Sequence, residues 1–208
     1  MIIDCHAHVN APKELYVYKN NLVSSHGAHG YNTPPISDEL LAESTAQNIK
    51  LMDSVGTDVQ FISPRPFQMM HAAKPTALVQ HWTRVVNDTI HRIVTSRPDR
   101  LQGVCAMPQA IETDPKEWLP ELDRCINELG FIGTLINPDP SEGMNGTPPM
   151  GDKYWYPVYE KMCDLDIPAL VHSSGCCNGR ESYSNHFITE ETIAILSLLN
   201  SEVFIDFP

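Results

Sequence analysis

Basic residues are scarce in this chain: 14 lysines and arginines face 26 aspartates and glutamates in 208 residues, a formal net charge of -12. A surface of that sign repels nucleic acid and anionic membranes, so neither is expected as a partner. An anionic small substrate would need positive charge concentrated in its site. No apolar run approaches the roughly 18 residues that span a bilayer. Asp4 and His6 also interrupt the start where a secretory leader would carry a basic region, so a cytoplasmic protein is expected. The cysteines Cys5, Cys105, Cys125, Cys163, Cys176 and Cys177 show neither zinc-ribbon spacing nor the pattern of a small disulfide framework. Cys5, Cys105 and Cys125 lie in apolar runs and read as small core residues; the adjacent Cys176 and Cys177 are considered as reactive thiols. Internal repeats, low-complexity tracts and Gly-x-Gly-x-x-Gly phosphate turns are all missing, which weighs against solenoids and nucleotide-binding open sheets.

What is present starts at the first residues. Met1-Ile2-Ile3-Asp4-Cys5-His6-Ala7-His8 is a short apolar run ending in His-x-His. In an extended strand, residues i and i+2 point to one side, so two imidazoles face one point: half of a metal site. Residues 10–35 have no clear periodicity and read as a long loop or lid, with Tyr16-Val17-Tyr18 available for packing and His26 and His29 as possible substrate contacts. A helix is predicted from Ser37 to Gly56, then a strand at Val59–Ser63 stopped by Pro64-Arg65-Pro66. Helical spacing returns from Leu78 to Ile93, followed by a strand at Leu101–Met107. Asp114-Pro115-Lys116-Glu117 is a helix start, and Gly130 ends that helix. A strand at Phe131–Ile136, a helix through Val158 and Leu165, and a strand at Pro168–His172 follow. The last predicted elements are a polar loop through Asn185 and a helix from about Thr189 to Leu199.

Short buried strands alternating with amphipathic helices predict an α/β protein with a parallel sheet, as an open doubly wound sheet or a (β/α)8 barrel. Chemically able residues end the strands: His6 and His8, Arg65, Gln109, Asn137 and His172. In a barrel those ends converge at one mouth. Arg65, held between two prolines, suits bidentate binding of a carboxylate. Asn137 either lines the mouth or shapes its turn. His71, His81 and His91 read as structural, since His81 and His91 do not share a helix face in ligand register.

Asp4-Cys5-His6-Ala7-His8 and Leu170-Val171-His172-Ser173-Ser174-Gly175 resemble the amidohydrolase superfamily. Within it they resemble the branch of aminocarboxymuconate semialdehyde decarboxylase and 4-oxalomesaconate hydratase. Ser25-His26-Gly27-Ala28-His29-Gly30, Ser63-Pro64-Arg65-Pro66-Phe67, Asn137-Pro138-Asp139-Pro140, Asp152-Lys153-Tyr154-Trp155-Tyr156-Pro157 and Tyr183-Ser184-Asn185-His186-Phe187 are most similar to the hydratase group. The resemblance implies a TIM-like (β/α)8 barrel of the metal-dependent hydrolase type, with about the first five βα units falling in a single partial domain, 1–208. The stretch 201–208 resembles the lead-in to a sixth strand. About three further units, with the remaining metal ligand and the general-base carboxylate, are then expected beyond Pro208.

The same resemblance implies that His6, His8 and His172 bind metal. Asn137 stands where binuclear relatives carry a bridging modified lysine, and no lysine lies between Arg124 and Lys153, so one divalent ion is expected. Zinc suits three imidazoles and a carboxylate, with manganese or iron as alternatives. The implied reaction is metal-assisted addition of water to the C=C bond of an unsaturated keto-polycarboxylate in aromatic-acid catabolism. Tyr183 and His186 would be proton donors or substrate contacts, and Arg65, Asn137 and Ser174 substrate-binding residues. The alternatives are a decarboxylase of the same branch, a hydrolase, and an inactive fragment. A homo-oligomer is expected, because a half-barrel exposes strand edges and inner apolar surface.

Overall fold

The computed structural model describes residues 1–144, 146–175 and 183–208, and of 183, 184 and 186 the backbone alone. Strands β1 (Ile3–His8), β2 (Val59–Ser63), β3 (Leu101–Ala106), β4 (Gly133–Ile136) and β5 (Ala169–Val171) form one curled sheet. All four pairings are parallel and the strands lie side by side in chain order. A doubly wound sheet reverses its order at a switch point, whereas a barrel runs through in sequence. The observed order is the barrel's, and the sheet is a half-barrel.

Helices α1 (Lys13–Ser24), α2 (Asp38–Val55), α3 (Thr76–Thr95), α4 (Leu119–Asn127), α5 (Tyr156–Leu165) and α6 (Tyr183–Leu199) fall between or after the strands, and a short α7 (Val203–Asp206) follows. α2 starts where Ser37 Oγ accepts from Leu40 N and stops at Gly56, whose φ of 76° needs no Cβ in the way. α3 supplies the largest apolar face: Leu78, Val79, Trp82, Val86, Ile90 and Ile93 are buried on it. Its Asn87 also clamps the end of β3, with Nδ2 donating to the Ala106 carbonyl and Oδ1 accepting from Ala106 N, both at 3.0 Å. The capping box predicted at Asp114 and Glu117 is present, but the first turn it caps is 3-10 and α4 begins after it, at Leu119.

Three expectations need correction. The stretch 10–35 is not a plain loop: α1 occupies its centre, burying Leu15 and Leu22, while Tyr18 donates or accepts at 2.7 Å with His81 of α3. α6 begins at Tyr183, six residues before the predicted Thr189, because its first turns are polar and carry no apolar period. The stretch 201–208, which resembles the lead-in to a sixth strand, contains α7, and Phe207 packs edge-on against Tyr156 with ring centroids 4.9 Å apart. Cys5 is exposed, since no described element covers its side of the edge strand β1, whereas Cys105 and Cys125 are fully buried as expected. Cys176 and Cys177 lie outside the described residues.

Candidate metal centre

β1 does more than run straight. Asp4 pairs with Gln60 and Ala7 with Ile62, so three steps on β1 match two on β2: a β-bulge lies between them. Asp4, His6 and His8 share one parity and would otherwise share one face. With the extra residue inserted, Asp4 accepts from Gln60 Nε2 at 2.7 Å and, through Gln60 and Asn48 of α2, faces the helical layer. His6 and His8 turn instead toward His172 at the end of β5.

The three rings meet as a triangle, with centroids 5.1 Å apart for His6–His8, 5.0 Å for His6–His172 and 5.1 Å for His8–His172. One nitrogen from each lies within 4.8 Å of the others. The partners of the remaining nitrogens fix the tautomers. Ser63 Oγ gives its one hydrogen to the Ala7 carbonyl at 2.9 Å and therefore accepts from His8 Nδ1 at 3.0 Å. His172 Nδ1 donates to the Ser173 carbonyl at 2.7 Å and has Glu191 Oε1 of α6 at 3.6 Å. Both rings thus keep Nε2 as a bare lone pair, the form that ligates a cation. Burial, then the charges of His172 and His6, push His8 down to about 4, with Arg65 adding to the shift. Burial lowers His172 as well, opposed by the Ser173 carbonyl and Glu191. Both shifts favour the neutral imidazole, the form that binds a divalent ion. The donor set fits such an ion.

The other anticipated residues lie around this triangle in different states. Arg65 is half-buried, its Nε donating to the Val9 carbonyl at 3.2 Å. Asn137 is buried and heavily engaged: Nδ2 donates to Ser174 Oγ at 2.9 Å and to the Asp139 carbonyl, while Oδ1 accepts from Asp139 N. Its main chain is clamped by the Gln109 amide, which donates to the Asn137 carbonyl and accepts from Asn137 N, both at 2.9 Å. Ser174 is buried at that junction. Gln109, Asn137 and Ser174 therefore tie together the segments that follow β3, β4 and β5. The side chains of Tyr183 and His186 lie outside the described residues. His71, read as structural, is buried with Nδ1 donating to the Gln109 carbonyl at 2.8 Å. His26 reaches the Lys74 carbonyl at 3.2 Å.

Sequence reasoning missed Ser63 and Glu191, which orient two of the imidazoles, and α1, whose Tyr16 and Lys19 stand half-buried beside the loop after β2. Leu15, Tyr18 and Leu22 at helical spacing behind Pro12 were the available signal for α1.

The Amidohydrolase family pattern matches residues 3–208. The chain is 38% identical over 214 residues to 2-keto-4-carboxy-3-hexenedioate hydratase of Sphingobium sp., covering 100% of this chain and 62% of that protein. The solved structure of 4-oxalomesaconate hydratase from Rhodopseudomonas palustris is similar with a TM-score of 0.88 and 33% identity, over 100% of this chain and 60% of that one. A dihydroxybenzoic acid decarboxylase from Polaromonas sp., solved with bound manganese and an inhibitor, shares the fold at a TM-score of 0.70 and 23% identity, over 100% of this chain and 62% of its own. The chain thus spans about three fifths of the length of these relatives. With the pattern running from β1 to the last residue and the hydratase fold matched throughout, the chain belongs to the amidohydrolase family.

Proposed function

We propose that this chain carries the metal-binding half of a hydratase that adds water across the C=C bond of an unsaturated keto-polycarboxylate. The observation that carries the reading is the His6, His8 and His172 triangle, with Nε2 left bare on two rings by Ser63 and Ser173. The hydratase names of two relatives above 30% identity support the choice of reaction. A single zinc ion suits this donor set, with manganese as the alternative, and when bound such an ion supplies Lewis acidity that polarises a carbonyl or acidifies a water.

The chain's own residues do the rest. Ser63 and the Ser173 carbonyl hold two imidazoles in the ligating tautomer. Glu191 accepts from Ser173 N at 3.3 Å and steadies the turn after His172. Arg65 offers a guanidinium to a substrate carboxylate, and Ser174, braced by Asn137, offers a hydroxyl to the substrate. Tyr183 and His186 are the proposed proton donors or substrate contacts. Exposed apolar side chains on β1 and α6, among them Ile3, Ile188 and Leu199, support association of copies into a homo-oligomer.

The test is product analysis. Chain loaded with zinc, and separately with manganese, is incubated with 4-oxalomesaconate and followed by loss of enone absorbance and by carbon dioxide release. Hydration predicts loss of absorbance without gas. Carbon dioxide in step with substrate loss would establish the decarboxylase alternative instead, and turnover of neither would remove both activities from this chain.

A further inference from the structure

Most cations of this acidic protein are accounted for. Arg92 pairs with Asp38, Arg100 with Asp53 and Arg124 with Asp88 and Glu121, while Lys13, Lys50, Arg97, Lys116 and Lys153, which make no such pair among the described residues, are exposed. Two described residues break that rule. Lys19 of α1 and Arg65 after β2 are both half-buried, and among the described residues neither has a carboxylate within ion-pair distance. Lys19 donates only to the neutral Gln68 amide oxygen, and Arg65 only to the Val9 carbonyl. A partly desolvated cation without a counter-ion is unfavourable, and most of all where acidic residues outnumber basic ones and partners are plentiful.

Their location is common to both. Arg65 stands close enough to His8 and to Tyr16 for its charge to act on each. Lys19 lies one helical turn beyond Tyr16, so the two side chains share a face of α1. Burial pulls Lys19 below the usual lysine range, and the charge of Glu142, in the loop after β4, opposes that shift. The Glu142 carboxylate in turn stands against Gly175, three residues beyond His172. Lys19 thus touches the segment after β2 through Gln68 and lies within reach of the charge of a loop that stands against the segment after β5.

We propose that Lys19 and Arg65 form a two-cation subsite above the histidine triangle that selects small molecules bearing two or more carboxylates. The proposal rests on the metal-centre reading for its place in catalysis, but the two half-buried cations, with no carboxylate within ion-pair distance among the described residues, stand without it. Each charge-assisted contact is of the strong kind, so removal of one cation is worth about tenfold or more in affinity.

Calorimetric titration tests it, with propane-1,2,3-tricarboxylate as probe and propionate as the monocarboxylate control, on metal-loaded and metal-free chain. Tricarboxylate binding is expected to weaken about tenfold or more in Lys19→Met and in Arg65→Met, and to be largely retained in Lys19→Arg, with metal content and circular dichroism unchanged. Propionate should be weak and insensitive to Lys19→Met. Unaltered tricarboxylate affinity in Lys19→Met overturns the proposal, as does a wild-type chain that binds no tricarboxylate in either form. Failure of the metal-centre reading registers separately, as absence of metal uptake, and the metal-free titration then decides the subsite alone.

Discussion

His8 and His172 are shaped as ligands less by their own identity than by what holds their Nδ1 atoms. Replacing Ser63 by Ala leaves the imidazole of His8 free to adopt the other tautomer, and metal affinity is expected to fall about 10- to 100-fold with the fold intact. Competition against a chromogenic chelator measures this, and affinity equal to wild type would show that Ser63 does not orient the ring. His71 makes a second prediction at this scale. Burial pushes it down to about 4, below the ordinary 6.5 that applies in the unfolded chain. The unfolded chain therefore takes up the proton first. Stability from this group is complete above about pH 6.5 and is lost as pH falls toward 4, by roughly 3 kcal/mol in all. Urea unfolding at pH 7 and pH 5 is expected to show the loss, and His71→Asn to show a smaller difference between the two. Equal slopes in both proteins would exclude His71 as the cause.

Elements were legible where one face is buried and invisible where function shapes them. α2, α3 and β2 stand almost where periodicity and caps put them, because Ser37, Gly56 and the row from Leu78 to Ile93 signal in the sequence itself. α1 was only faintly legible: Leu15, Tyr18 and Leu22 fall at helical spacing, but Tyr16 and Lys19 stand half-buried where apolar residues would have completed the period. The bulge in β1 was not legible either, since it depends on pairing with β2. The histidine pair was marked by its i, i+2 spacing, and His172 was joined to it by the resemblance to amidohydrolases; Ser63 and Glu191 come from other elements and leave no local trace. The pairing of β4 with β5 depends on a close approach at Gly133, where an added Cβ would lie 2.8 Å from the Pro168 carbonyl oxygen. Thr134 N donates to that same oxygen at 3.1 Å. Gly133→Ala is expected to cost about 1–3 kcal/mol in urea unfolding and to displace β5, and with it His172. Unchanged stability would mean the strands can part there without loss. Asp114→Ala, which removes the capping box ahead of α4, should cost about 1 kcal/mol in the same assay. No effect would mean the flanking packing holds the turn unaided.

At the level of the whole molecule, five parallel strands in chain order bring residues 6, 8 and 172 to one point. Alternation of strands and helices left two architectures open; only the order of strands, a long-range property, separates them. Against the negative charge of the chain, the half-buried Lys19 and Arg65 have no carboxylate within ion-pair distance among the described residues. Among the described residues, no helix is long and apolar enough to cross a membrane. The central claim is that the three histidines form a cation site in this chain. Elemental analysis of the purified 208-residue chain after dialysis against zinc or manganese, beside His172→Ala, tests it most directly. About one ion per chain is expected in the wild type and substantial loss in the variant, with helical content preserved. Equal metal in both proteins, or none in the wild type, would contradict it.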